Sequence, residues 1–129
     1  MTYYISRTLE DTSFDEVVER VRNALKTEGF GVLTEIDVKA TLKKKLDIDF
    51  RPYLILGACN PPLAHRALSA EDKIGTMLPC NVIVQEPAAG SIEVAAIDPV
   101  ASMMAVDNPA LKPLAETVRD KLAAVIDAL

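Results

Sequence analysis

The sequence contains no tryptophan and only three tyrosines and three phenylalanines in 129 residues. Base-stacking platforms and aromatic cages for cations therefore have little to be built from. A single histidine is present, and no Ser-His-Asp or Cys-His-Asn nucleophilic set can be assembled around it. Two cysteines cannot make a disulfide scaffold. The five glycines are scattered, so the glycine-rich turn that cradles a nucleotide phosphate is missing. No apolar run approaches the ~20 residues of a membrane span, and Met1-Thr2-Tyr3-Tyr4 lacks the basic-then-apolar pattern of a secretory leader. A soluble cytoplasmic protein with no membrane partner is the expectation. Positive charge is in deficit, 14 Lys and Arg against 19 Asp and Glu for a net charge of -5, which argues against a phosphate-neutralising surface and removes nucleic acid as a partner.

Half of the residues are hydrophobic while 5% are aromatic, so the core must be aliphatic. The length suits one domain over residues 1–129, and area scaling gives roughly 6,700 Å² of exposed surface once folded. Tyr3, Ile5 and Leu9 alternate with Tyr4, Ser6 and Thr8, a half-buried strand whose period is broken only at Arg7. Ser13-Phe14-Asp15-Glu16 reads as a capping box in which Glu16 reaches back to the cap. Phe14, Val17, Val18, Val21, Ala24 and Leu25 then form the apolar stripe of a helix ended by Gly29. Phe30 to Ile36 alternates as a second strand, followed by a short amphipathic helix on Val38, Leu42 and Leu46. Lys43-Lys44-Lys45 within it reads as a solvated face rather than an anion site.

Tyr53 to Cys59 is a continuous apolar run of the length of a buried central strand. Asn60 as cap and Pro61 as first helical residue start a helix expected to reach about Asp72, with Leu63, Ala64, Ala67 and Leu68 inward. Cys80 to Gln85 and Ser91 to Ile97 form a hairpin across Ala88-Ala89-Gly90. Asp98-Pro99 caps a turn of helix through Met103 and Met104, and a last helix starting at Asn108-Pro109 or Pro113 carries a stripe from Leu111 to Leu129. The order predicts an α+β domain, a largely antiparallel sheet with helices on one face. A parallel doubly wound sheet is the rival, without its phosphate turn.

The segments Gly57-Ala58-Cys59-Asn60-Pro61, Leu63-Ala64-His65, Ala67-Leu68, Ile74-Gly75 and Leu78-Pro79-Cys80-Asn81-Val82 together resemble the domain-of-unknown-function 302 family, as do Asp98-Pro99 and the Ala115 to Leu122 stripe. The resemblance covers nearly the whole chain. It implies a TATA-binding-protein-like arrangement, strand and helix followed by four strands and a final helix, in a homodimer. It supplies no activity and no catalytic residues.

Chemistry concentrates where the central strand meets its helix. Cys59 immediately precedes the Asn60 cap, where unpaired N–H groups and the helix dipole favour a thiolate. Its structural alternative is a small apolar core residue. Cys80 opens the next strand, and antiparallel pairing of the two strands would bring the two cysteines together. Asn60 and Asn81, each following a cysteine, are polar candidates at the same sheet end, with capping and turn closure as their structural roles. These four residues, Cys59, Asn60, Cys80 and Asn81, form the expected site for a small ligand or a partner protein in a homodimer. The alternative is a redox or soft-metal module on Cys59 and Cys80 with His65 as third ligand. His65 lies about 1.5 turns into the helix, some ~8–9 Å along its axis, on the polar side. Zinc wants a fourth donor, which a dimer partner would have to supply. Glu35 and Asp37 at a strand end are a remote acid and base pair, and Met77, Met103 and Met104 can line a pocket or simply pack. A binding module is favoured over an enzyme, and the sequence leaves the cofactor unknown.

Overall fold

The computed structural model describes residues 2–129. Its elements are β1 (Tyr4–Leu9), α1 (Phe14–Thr27), β2 (Gly31–Asp37), α2 (Val38–Leu46), β3 (Tyr53–Cys59), α3 (Pro61–Ala70), a 3₁₀ turn (Asp72–Met77), β4 (Cys80–Ala88), β5 (Ser91–Ile97), α4 (Pro99–Ser102) and α5 (Leu111–Asp127). The strands make one sheet in the order β1-β5-β4-β3-β2, with every neighbouring pair antiparallel. The expected α+β class is therefore the observed one, and the parallel rival is excluded. The strand, helix, four strands and helix implied by the resemblance are present, with α2, α3, the 3₁₀ turn and α4 inserted between them.

Alternation decides which face carries the core. Leu54, Leu56 and Ala58 of β3, Val82 and Val84 of β4, and Ile92, Val94 and Ala96 of β5 point to one side and meet Val17, Val21 and Leu25 of α1 and Leu122, Val125 and Ile126 of α5. Each full burial of such a side chain contributes roughly 1.5–3 kcal/mol. The opposite face carries Ile55, Ile83, Ala95 and Ile97 with no helix of the core across it.

Arg7, the residue that broke the first strand's period, has a specific task. It projects from the helix side of β1 and donates to the carbonyls of Ile126 and Asp127 at 3.3 and 3.0 Å. A guanidinium thus closes the C-terminus of α5, where orphan carbonyls and the dipole favour a cation. At α1, Ser13 Oγ accepts from the Glu16 N–H as expected. The reciprocal half of the capping box is absent, because the Glu16 carboxylate accepts instead from Thr12 Oγ1 and from Arg20 at 3.1 and 2.8 Å. Those bonds hold its carboxyl below the usual range, Arg20 first. Gly29 at φ +83° ends α1, with Phe30 N–H donating to the Leu25 carbonyl and Gly29 N–H to that of Lys26, the paired bonds of a left-handed helix stop.

Three elements depart from expectation. The helix α3 stops at Ala70, and a 3₁₀ turn follows that drives Ile74 into a second small core with Ala67 and Leu111. The strand β4 runs past Gln85 to Ala88 because a bulge between Gln85 and Ala88 accommodates Pro87, which could not sit in a regular ladder. The helix α2 buries none of its side chains, and Leu46 stays 63% exposed. Its apolar spacing therefore does not mark a core contact. Its lysines are exposed, and Lys43 pairs with Asp47 and Asp49 at 3.0 and 3.5 Å.

Candidate functional site

At the end of the sheet where β3 finishes and β4 begins, a cavity of about 330 Å³ opens between the strands, α3, the 3₁₀ turn and the first turns of α5. Its origin is compositional. Ala58, Ala64, Ala67 and Ala115 lie on elements that face one another across it, and four short side chains leave unfilled the space that leucines would occupy. Leu63, Leu68, Leu114 and Val118 complete the apolar wall.

Three of the four predicted site residues border this cavity. Cys80 faces Ala58 across the β3–β4 ladder, which puts Cys59 one residue beyond the pairing, where the chain leaves the sheet for α3. Both cysteines are free and both line the cavity wall. Cys80 is buried and Cys59 half-buried. Burial pushes the Cys80 thiol up from 9.0 to about 11, and the neighbouring Cys59 charge adds to it. At neutral pH Cys80 is a protonated thiol, a weak donor rather than a nucleophile. Asn60 is nine-tenths buried at the cavity rim. Its Oδ1 accepts from the Leu63 N–H at 3.5 Å, capping α3, and its Nδ2 donates to the Glu28 carbonyl at 3.4 Å, tying α3 to the end of α1. Both bonds are long, at the weak end of the useful range.

Asn81 does not join them. Alternation along β4 points it to the other face, where it is exposed at the edge of a depression; with Cys80 it also borders a third cavity of about 290 Å³ beside the 3₁₀ turn and Met103. The soft-metal trio does not assemble within the chain either. His65 is exposed on α3 and lines none of the three cavities. Among the described residues no group of three or more His, Cys, Asp or Glu side chains stands close enough to hold a metal ion. Glu35 and Asp37 have structural partners: Glu35 pairs with Arg22 of α1 at 2.7 Å, and Asp37 caps α2 by accepting from the Ala40 N–H at 2.9 Å. Of the methionines, Met103 lines the cavity, while Met77 and Met104 are exposed.

The residues that sequence reasoning missed are those of the roof, Leu111, Leu114, Ala115 and Val118 of α5, together with Leu78 after the 3₁₀ turn. Their signal was present only as the apolar stripe of α5, which reads as core packing.

The family model for the domain of unknown function DUF302 matches residues 5–129. Among solved structures, the crystal structure of the uncharacterized conserved protein DUF302 from Bacillus stearothermophilus superposes with a TM-score of 0.90 at 32% identity, covering 99% of this chain and 98% of that one. No curated protein matches.

Proposed function

The chain belongs to the DUF302 family, and from that premise we propose that it is a homodimeric cytoplasmic module that binds a small ligand in the cavity bordered by Cys59, Asn60 and Cys80. The observation that carries the reading is the cavity itself. At about 330 Å³ it falls within the range of small-molecule sites and is lined by apolar side chains with one buried amide at its rim. The cytoplasmic part rests on the two unpaired cysteines, which fit a reducing compartment. No helix among the described residues is long and apolar enough to cross a membrane.

The dimer reading commits to a second copy of this chain on the helix-free face of the sheet. Ile83, Ala95 and Ile97 line a depression of about 420 Å³ there with Tyr3, Tyr4 and Tyr53, and Tyr3 is 63% exposed. Tyr4 is exposed beside it, and association through this face would cover both rings. Asn81, at the edge of that depression, belongs to the partner side of the reading rather than to the cavity.

The thiol alternative keeps one supporting observation, that both cysteines border one cavity on adjacent strands. Burial disfavours the Cys80 thiolate, so in this reading a bound metal would have to displace the Cys80 proton.

Native mass spectrometry of freshly purified protein, without chelator or reductant, tests the three readings together. A dimer that carries or accepts an organic ligand, with loss of that ligand in Ala67→Leu, supports the binding module. A metal adduct or a two-proton mass loss that Cys59→Ser and Cys80→Ser both remove would replace it with the thiol module. A concentration-independent monomer would refute the dimer.

A further inference from the structure

We propose, building on the cavity-binding reading, that the ligand class is uncharged: a compact apolar body of about a dozen non-hydrogen atoms carrying one hydroxyl or carbonyl oxygen that bonds to Asn60. Size comes first. A closed apolar cavity of about 150 Å³ accepts benzene, and this one is about 330 Å³, so it fits a body on the order of two fused rings or an eight- to ten-carbon chain. Charge comes second. Among the described residues, no Asp, Glu, Lys, Arg or His lines the cavity, so a carboxylate, phosphate or ammonium would be desolvated there without a counter-ion, at a cost that apolar contact of this size does not recover.

The single polar handle comes third. The Asn60 amide has two N–H donors and two acceptor lone pairs. One donor is used on the Glu28 carbonyl at 3.4 Å and one lone pair on the Leu63 N–H at 3.5 Å. One N–H and one lone pair remain on a side chain nine-tenths buried and bordering the cavity. A hydroxyl can satisfy both and a carbonyl can satisfy the donor. The neutral Cys80 thiol adds a soft contact without charge.

Three naphthalene probes separate these statements, read by their own fluorescence with the full-length protein at neutral pH: 1-methylnaphthalene, 1-naphthalenemethanol and 1-naphthoate. The alcohol is expected to bind tightest, and the carboxylate at least about tenfold weaker than the alcohol. Asn60→Ser keeps a residue able to cap α3 but removes the amide. It should weaken the alcohol about fivefold and leave methylnaphthalene within about twofold. Filling the cavity with Ala67→Leu, or with Leu114→Phe if the first variant does not fold, should abolish binding of all three. Naphthoate binding as tightly as the alcohol would overturn the uncharged class while leaving the cavity reading in place. Equal effects of Asn60→Ser on alcohol and hydrocarbon would overturn the role of Asn60. Failure of all three probes to bind the wild-type protein would overturn the cavity reading and this inference with it.

Discussion

Raising the pH from about 8 to about 11 should destabilise the protein through one buried sulfur. In the unfolded chain the Cys80 thiol ionises near 9.0, whereas in the folded chain burial holds it protonated up to about 11, with the Cys59 charge as the lesser cause. Below 9 both states carry the proton and the group has no effect. Between 9 and 11 the unfolded state binds fewer protons than the native state, so unfolding gains about 1.4 kcal/mol per pH unit. The full effect is about 2.7 kcal/mol and is approached only above pH 11, with about 2 kcal/mol of it present at pH 11. That is a large part of the ~5–15 kcal/mol of a typical domain. Urea denaturation at about pH 8, 9, 10 and 11, with wild type and Cys80→Ala side by side, isolates it. The shorter side chain of the variant adds an offset that does not change with pH, and the other titrating groups are common to both proteins, so the pH dependence of the difference between the curves reads Cys80. Wild type should lose about 2 kcal/mol more than the variant across that range. Cys59→Ser should reduce this excess without removing it, because desolvation is the larger cause. Parallel pH dependences for wild type and Cys80→Ala would refute the reasoning.

The same burial sets reactivity: a disulfide reagent at about pH 8 should modify the half-buried Cys59 first and reach Cys80 only on unfolding, and two equally fast thiols per native chain would contradict it. Arg7→Ala removes both bonds to the α5 carbonyls and should cost about 1 kcal/mol, with faster amide exchange confined to the last turn of α5. Gly57→Ala places a methyl where Thr34 Oγ1 and the Pro79 ring already sit, the latter at 2.6 Å, and overpacking of about 1–3 kcal/mol should lower the melting temperature by several degrees. Glu35→Gln breaks a solvent-exposed pair and should change stability by less than about 1 kcal/mol and ligand binding not at all; loss of binding in that variant would reopen an acid–base role for Glu35.

Periodicity and caps carried most of the fold. The α1 stripe, the Asn60 cap before Pro61, the continuous run of β3 and the hairpin of β4 and β5 are each local, and the structure has them at those places. What local reading could not carry was decided by distant partners. Arg7 looks like an error in an alternating strand until the end of α5, about 120 residues away, arrives beside it. Glu16 satisfies the capping-box spacing but finds stronger partners in Arg20 and Thr12. Leu42 and Leu46 have helical spacing, yet Leu42 is only half-buried and Leu46 stays exposed, so α2 adds no residue to the buried core. Asn81 shares its sequence context with Asn60, and the one-residue step from Cys80 turns it to the other side of the sheet.

The cavity was illegible for a different reason. A void is not encoded by any residue but by the coincidence of short ones on elements that meet only after folding. Ala58 lies next to the end of a strand, Ala64 and Ala67 belong to the next helix, and Ala115 comes almost fifty residues later in the chain. Each alone is a good residue for its element: alanine is the best helix former and a common core residue. Leucine is nearly as good a helix former as alanine, so local propensity gives no reason for Ala64, Ala67 and Ala115 all to be small. An occupant of the proposed site would be such a reason. Stability without ligand is then informative: if Ala67→Leu and Ala115→Leu are each more stable than wild type and leave the native fold unchanged, the space is an unfilled hole whose retention stability does not explain, as the binding proposal expects. If both are destabilised by the overpacking of about 1–3 kcal/mol expected of a core that is already full, the wall is closed in solution, and the cavity cannot be the site.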